Sequence, residues 1–222
     1  MKLSEEMKNK TLLSFELFPP KTEKGLQNLP GTIDHLMKYN PSYISCTYGA
    51  GGGNVGANRE VCQMIKNAGT TPVTHFTVIK NTKEGIKEQL DQYLADGVDH
   101  MLALRGDIPL GETTTCGDFD YATDLVKFVR DTYGDKFEIA VAGSPEGHIS
   151  CRSLESDIAV LKQKQDNGAD YIMTQLCWDM EQFKYWLDAI REAGVTMPVD
   201  VGVMPILDQA ATINMALSRN GC

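Results

Sequence analysis

The sequence predicts a parallel α/β barrel of the (β/α)8 TIM-barrel type with seven of the usual eight βα units, and three observations lead there. Short β-rich apolar runs alternate with helical stretches seven times, at a spacing of about 30 residues, the size of one βα unit. Six helical stretches end on a glycine able to take the left-handed cap, at Gly69, Gly97, Gly134, Gly168, Gly194 and Gly221. Polar residues recur at the carboxyl ends of the first six strands, where parallel barrels assemble their chemistry: Glu16, Thr47, His75, Arg105 with Asp107, Ser144 and Gln175.

After a polar lead-in, the first strand is expected over 11–18, closed by Pro19-Pro20, and a helix pattern runs over 26–39. The second strand, 43–48, leads through a glycine-rich loop to a helix over 58–69. A third strand at 72–78 precedes an amphipathic helix at 83–94. The fourth strand, 100–104, breaks into Arg105-Gly106-Asp107 and is stopped by Pro109, so an acid and a cation emerge at its carboxyl end. An isolated Arg-Gly-Asp there can equally be a structural ion pair. Helices at 121–133, 154–166, 180–192 and 208–219 alternate with strands at 137–142, 171–176 and 199–203. No linker or composition shift divides the chain, so residues 1–222 are read as one domain.

Composition narrows the function. The balance of 21 basic against 30 acidic residues gives a net charge of -9, which repels a phosphate backbone and an anionic membrane surface. No apolar run is long enough for a bilayer and the start, Met1-Lys2-Leu3-Ser4-Glu5-Glu6, has no signal-peptide core, so a cytoplasmic protein is expected. Cys46, Cys62, Cys116, Cys151, Cys177 and Cys222 form no Cys-x-x-Cys pair and are read as reduced thiols. His35, His75, His100 and His148 are too scattered for a metal-dependent hydrolase, and no zinc site is expected. No Gly-x-Ser-x-Gly elbow marks a serine nucleophile.

Gly51-Gly52-Gly53-Asn54-Val55-Gly56 has the G-x-G-x-x-G spacing of a dinucleotide fingerprint. It follows the second strand, however, and the next strand tip offers Thr74-His75-Phe76-Thr77 with no acid for a ribose. A flexible loop over a binding face is the other reading of these glycines. Taken singly, Glu16 could pair with a lysine, His75 could be a satisfied core histidine and Gln175 could only bond backbone. Their recurrence at one end of successive strands is what points to a site.

Phe15-Glu16-Leu17-Phe18-Pro19-Pro20, Thr47-Tyr48-Gly49-Ala50, Leu104-Arg105-Gly106-Asp107, Pro145-Glu146-Gly147-His148 and Thr174-Gln175 resemble, in order and spacing, the motifs of the methylenetetrahydrofolate reductase family. The resemblance spans essentially the whole chain. It implies a barrel with FAD laid across the carboxyl ends of its strands, NADH or NADPH as electron donor and 5,10-methylenetetrahydrofolate as acceptor, alternating on one flavin face in a ping-pong sequence. Small-molecule folate and nicotinamide are then the partners. Opening the folate ring needs a proton on the departing nitrogen, and a carboxylic acid with a raised pKa can supply it. By the resemblance that acid is Glu16. Asp107 stabilises the resulting cation and tunes the flavin. Gln175 holds pterin or nicotinamide, with Thr47 beside it.

The flavin contacts carried over are Thr47, Tyr48, Ala50, His75, Arg105, Gly106, Asp107, Tyr121 and Ala122, with His148, Asp157 and Lys164 near ribose and pyrophosphate. On their own, Asp157 and Lys164 read as a solvated helix face. Ser144, Ile149-Ser150, Gln163 and Gln209 depart from the family pattern, mostly on the adenine side, so FMN stays an alternative to FAD. A seven-unit chain leaves its first and seventh strands with open edges, which invite pairing with another chain, a homo-oligomer included. A flavin- or folate-binding subunit without turnover is the alternative to an active reductase.

Overall fold

The computed structural model describes residues 2–20, 22–48, 55–108, 111–204 and 206–216. The elements in chain order are α1 (Leu3–Met7), β1 (Ser14–Leu17), α2 (Glu23–Met37), β2 (Tyr43–Cys46), α3 (Val55–Asn67), β3 (Thr71–Thr77), α4 (Lys83–Ala95) and β4 (His100–Leu104). They continue with α5 (Ala122–Tyr133), β5 (Glu138–Gly143), α6 (Leu154–Asp166), β6 (Tyr171–Thr174), α7 (Met180–Glu192), β7 (Val199–Asp200) and α8 (Gln209–Ala216). The seven strands form one sheet in the order β1-β2-β3-β4-β5-β6-β7, each parallel to its neighbour. A doubly wound sheet reverses its strand order at a switch point, and this one does not. The sheet is therefore a barrel wall, as the sequence predicts, and the dinucleotide-fold reading of the glycine run falls with its topology.

Alternation along the strands sorts side chains into two layers. Ile44, Phe76, Met101, Ile139 and Ile172 face outward and pack with Val61, Leu90, Val126, Leu161 and Ile190 of the surrounding helices in the main core. Tyr43, Val73, Leu102, Ala140 and Tyr171 face inward and form a second cluster with Leu3. Burying each such large side chain contributes roughly 1.5–3 kcal/mol. Arg130 on α5 ties helix to sheet by donating to the carbonyls of Gly168 (2.7 Å), Phe137 (2.8 Å) and Gly134 (2.9 Å) and to the carboxylate of Asp170.

The helix ends follow the glycine rule. Gly69, Gly97, Gly134, Gly168 and Gly194 all have positive φ, while Gly221 lies outside the described residues. Three expectations change. The lead-in is not merely polar: it forms α1, whose Leu3 is only 1% exposed under the inner layer. Its Leu3 and Ser4 amides donate to Glu138 Oε2 and Oε1 at 2.7 and 2.8 Å, and Glu138 Oε2 lies 2.9 Å from His100 Nε2. β1, β2 and β6 are shorter than expected, Ser14–Leu17, Tyr43–Cys46 and Tyr171–Thr174 in place of 11–18, 43–48 and 171–176. β7 keeps only Val199 and Asp200, because β6 offers it just two partners, and Val203 stands 80% exposed. In place of main-chain pairing between β1 and β7, Ser14 Oγ donates to Asp200 Oδ2 at 3.0 Å and the Tyr43 hydroxyl bonds the same oxygen. No helix among the described residues is long and apolar enough to cross a membrane.

Candidate functional site

The carboxyl ends of the strands bring several of the predicted residues to one mouth. On β1, Ser14 and Glu16 face the lumen while Phe15 and Leu17 pack outward, a direct consequence of the two-residue period. Glu16 Oε2 lies 3.8 Å from His75 Nε2 on β3. Burial raises the Glu16 carboxyl above its ordinary value and lowers His75 to about 4, so at neutral pH His75 is uncharged. An uncharged neighbour exerts no pull toward the carboxylate form. The Glu16 side chain still keeps 46% of its surface open. A ring lying across the mouth would cover it and push the carboxyl further in the same direction.

Three buried polar atoms on this wall lack a hydrogen-bond partner among the described residues: Ser45 Oγ on β2, and His75 Nε2 and Thr77 Oγ1 on β3. Each is enclosed by protein, so the three are desolvated polar atoms beneath the mouth, costly to leave unpaired. Gly106 turns beside Thr77 with φ +86; a Cβ there would stand 2.6 Å from Ile79 Cγ1 and 3.0 Å from Thr77 Cβ. Gly106→Ala is therefore expected to cost roughly 1–3 kcal/mol through strain and crowding, read as a lower urea midpoint at unchanged slope.

A cationic end lies next to this wall. Lys164 on α6, held largely away from water, donates to the Ala142 carbonyl at 3.0 Å, and burial lowers its pKa. The backbone amide of His148 donates to Asp157 Oδ2 at 3.2 Å. The His148 imidazole is lowered first by burial; Asp157 opposes that shift while Arg105 and Lys164 reinforce it. The His148 ring thus feels the charges of Asp157, Arg105 and Lys164, and Asp157 and Lys164 are not the solvated helix face their sequence alone suggested. His148, Ile149, Cys151 and Gln182 line a cavity of about 380 Å³ beside them.

Other predicted residues sit differently. Tyr48 is turned outward: its ring packs 5.6 Å from Phe76 and its hydroxyl donates to Gln89 Oε1 at 2.7 Å. Asp107 and Gln175 are exposed on the rim, and the Gln175 backbone N–H donates to the Gly143 carbonyl at 2.8 Å. Tyr121, 61% exposed, and Ala122 open α5, where the Tyr121 amide donates to Asp124 Oδ2 at 3.0 Å. Thr47 continues β2 past its last ladder pair, its amide donating to Leu17 O at 2.9 Å. Ala50 lies outside the described residues. Ser45, Thr77 and Asn58 were missed by sequence reading; strand alternation from Glu16 and His75 could have found the first two.

The rim carboxylate of Asp107 and the carboxyl of Glu16, with the cationic Arg105 and Lys164, make a set of polar groups that would suit a flavin nucleotide. Among the described residues no group of three or more His, Cys, Asp or Glu could hold a metal ion.

The family model described as methylenetetrahydrofolate reductase matches residues 2–218. Methylenetetrahydrofolate reductase (NADH) 1 of Arabidopsis thaliana is 37% identical over 219 residues, covering 93% of this chain and 37% of that protein. The 5,10-methylenetetrahydrofolate reductase of Escherichia coli is 33% identical over 202 residues, covering 90% and 67%. The chain thus spans little more than a third of the plant relatives it matches. Among solved structures, an uncharacterized Clostridium thermocellum protein that binds two copies of 5-methyl-5,6,7,8-tetrahydrofolic acid superposes with a TM-score of 0.65 at 13% identity, covering 90% of this chain and 68% of that one. 2,3-Dimethylmalate lyase superposes with a TM-score of 0.62 at 11% identity, covering 95% and 81%. At such identities the likeness is one of fold. The sequence matches carry the assignment: the chain belongs to the methylenetetrahydrofolate reductase family.

Proposed function

We propose that this chain binds FAD across its barrel mouth and reduces 5,10-methylenetetrahydrofolate to 5-methyltetrahydrofolate, with NADH as donor, in a ping-pong sequence. The observation that carries this is Glu16: a carboxyl whose pKa burial raises, beside an uncharged His75, at the mouth of a barrel of this family. FAD bound there would supply hydride transfer, from nicotinamide in one half-reaction and to the one-carbon unit of the folate in the other.

The chain's own residues do the rest. Glu16 holds its proton on a carboxyl oxygen and delivers it to the departing folate nitrogen. Asp107, on the rim, places negative charge where the iminium cation develops. Gln175 offers amide donors and acceptors to pterin or nicotinamide in turn. His75, uncharged and next to Glu16, lines the wall under the ring system. Arg105, His148 and Lys164 bind the phosphate end, with Asp157 orienting the loop that carries His148. The plant relatives' printed names specify NADH, which favours that donor. The cysteines of the described residues are free thiols, in keeping with a reducing, cytoplasmic setting.

Purified protein tests the reading. A yellow preparation bleached by NADH and recoloured by methylenetetrahydrofolate is expected. Protein that stays colourless in excess FAD would overturn it, and protein that binds FAD without either colour change would be a binding subunit.

A further inference from the structure

Asn58 on α3 is fully buried, and its side-chain amide is used on both sides. Its Nδ2 donates to the carbonyls of Cys46 (3.0 Å) and Thr47 (3.1 Å) at the end of β2. Its Oδ1 accepts from Tyr93 (2.7 Å), Thr74 (2.8 Å) and the Cys62 thiol (3.5 Å). The partners fix the amide's orientation, since carbonyls demand the nitrogen and hydroxyls are served by the oxygen. The pairing of β2 with β3 ends at Cys46 opposite Thr74, and that with β1 at Leu17 opposite Cys46. Past that point Thr47 is held by its amide bond to Leu17 and by Asn58, which reaches back 11 positions to it.

We propose that Asn58 is a positioning residue for the mouth: its two amide donors fix the Cys46 and Thr47 carbonyls and thereby set Thr47 against the flavin. This rests on the flavin reading above. The two sides of the amide do separable work. The Oδ1 side joins α3 to β3 and α4 and stabilises the fold. The Nδ2 side governs the backbone at the site, and its loss frees Thr47 to move before any ligand arrives, an ordering cost that binding must then meet.

Asn58→Asp keeps an oxygen for Thr74 and Tyr93 but removes both amide donors; Tyr93→Phe removes a bond to Oδ1 alone, and Thr74→Val removes another together with the alternative donation of that hydroxyl to the His75 carbonyl at 3.1 Å. With the full chain, FAD affinity is expected to fall about tenfold or more in Asn58→Asp and to stay within about twofold in the other two, even where their melting temperatures drop as far. Amide hydrogen exchange at residues 46–48 of the flavin-free protein is expected to quicken in Asn58→Asp alone. If Asn58→Asp fails to fold, Asn58→Ser, too short to reach both carbonyls, is expected to show the same loss. FAD binding and exchange in the Asn58 variant equal to the parent, or equal losses in all three variants at matched stability, would overturn the inference while leaving the flavin reading intact. A parent that binds no FAD would overturn both.

Discussion

Glu16→Gln is expected to leave reduction of the flavin by NADH within a few-fold of the parent while folate turnover falls by roughly 10²–10⁴, the usual worth of a positioned general acid. Glutamine matches glutamate in size and keeps an oxygen and a nitrogen at the same address, so binding changes little. It cannot release a proton to the departing folate nitrogen. Hydride leaves NADH without that proton, which is why the two half-reactions separate. Stopped-flow absorbance at the flavin band, run once with NADH and once with methylenetetrahydrofolate against reduced protein, reads both. Equal losses in the two halves would remove Glu16 from the acid role. In the parent the folate half-reaction should fall as pH rises through the raised Glu16 pKa, since only the protonated carboxyl donates.

Glu138→Gln is expected to cost about 3–5 kcal/mol, the usual penalty for breaking one partner of a buried charge pair, seen as a melting temperature lower by roughly 10 °C in a chain of this size. Glu138 sits at the closed end of the barrel, its side chain 2% exposed, accepting from two α1 amides and facing His100. Burial opposes its ionisation, but His100, Ser4 and Leu3 together hold its pKa down at about 2. His100 is likewise opposed by burial and lifted by Asp99, 2.6 Å away, and by Glu138, to about 9.

The two shifts bound a pH window. A raised histidine contributes fully below its ordinary value of 6.5 and loses that contribution as pH climbs through about 9. A depressed glutamate contributes fully above its ordinary 4.5 and loses it as pH falls through about 2. Stability from this pair is therefore greatest between 4.5 and 6.5. Melting curves across pH should show a fall between 6.5 and 9 that is blunted in Glu138→Gln; an unchanged alkaline fall would mean that other groups cause it.

Much of the barrel was legible residue by residue. The bounds of β4, α6 and α7 follow from apolar periodicity and the glycines that stop the helices, both local signals. Glu16, His75 and the Arg105 to Asp107 turn could be placed at one mouth because strand ends in a parallel barrel share a face, so one strand's polar terminus predicts the next. Asp157 and Lys164 could not be told from a solvated helix face, because their burial depends on how α6 lies over β5.

What the sequence by itself determined is the succession of βα units, the end at which chemistry collects and the family to which its motifs point, all written in neighbours within a few residues. Only the tertiary structure decided the rest. The segment Leu3-Ser4-Glu5-Glu6-Met7 looks like polar lead-in until Glu138, more than 130 positions away, accepts its amides and lets Leu3 plug the barrel. Tyr48 turns outward to Gln89, and Asn58 becomes the clamp on Thr47, through partners that no local period announces. A side chain's direction past a strand end is set by whichever distant group satisfies its polar atoms, and that choice exists only once the chain has closed on itself.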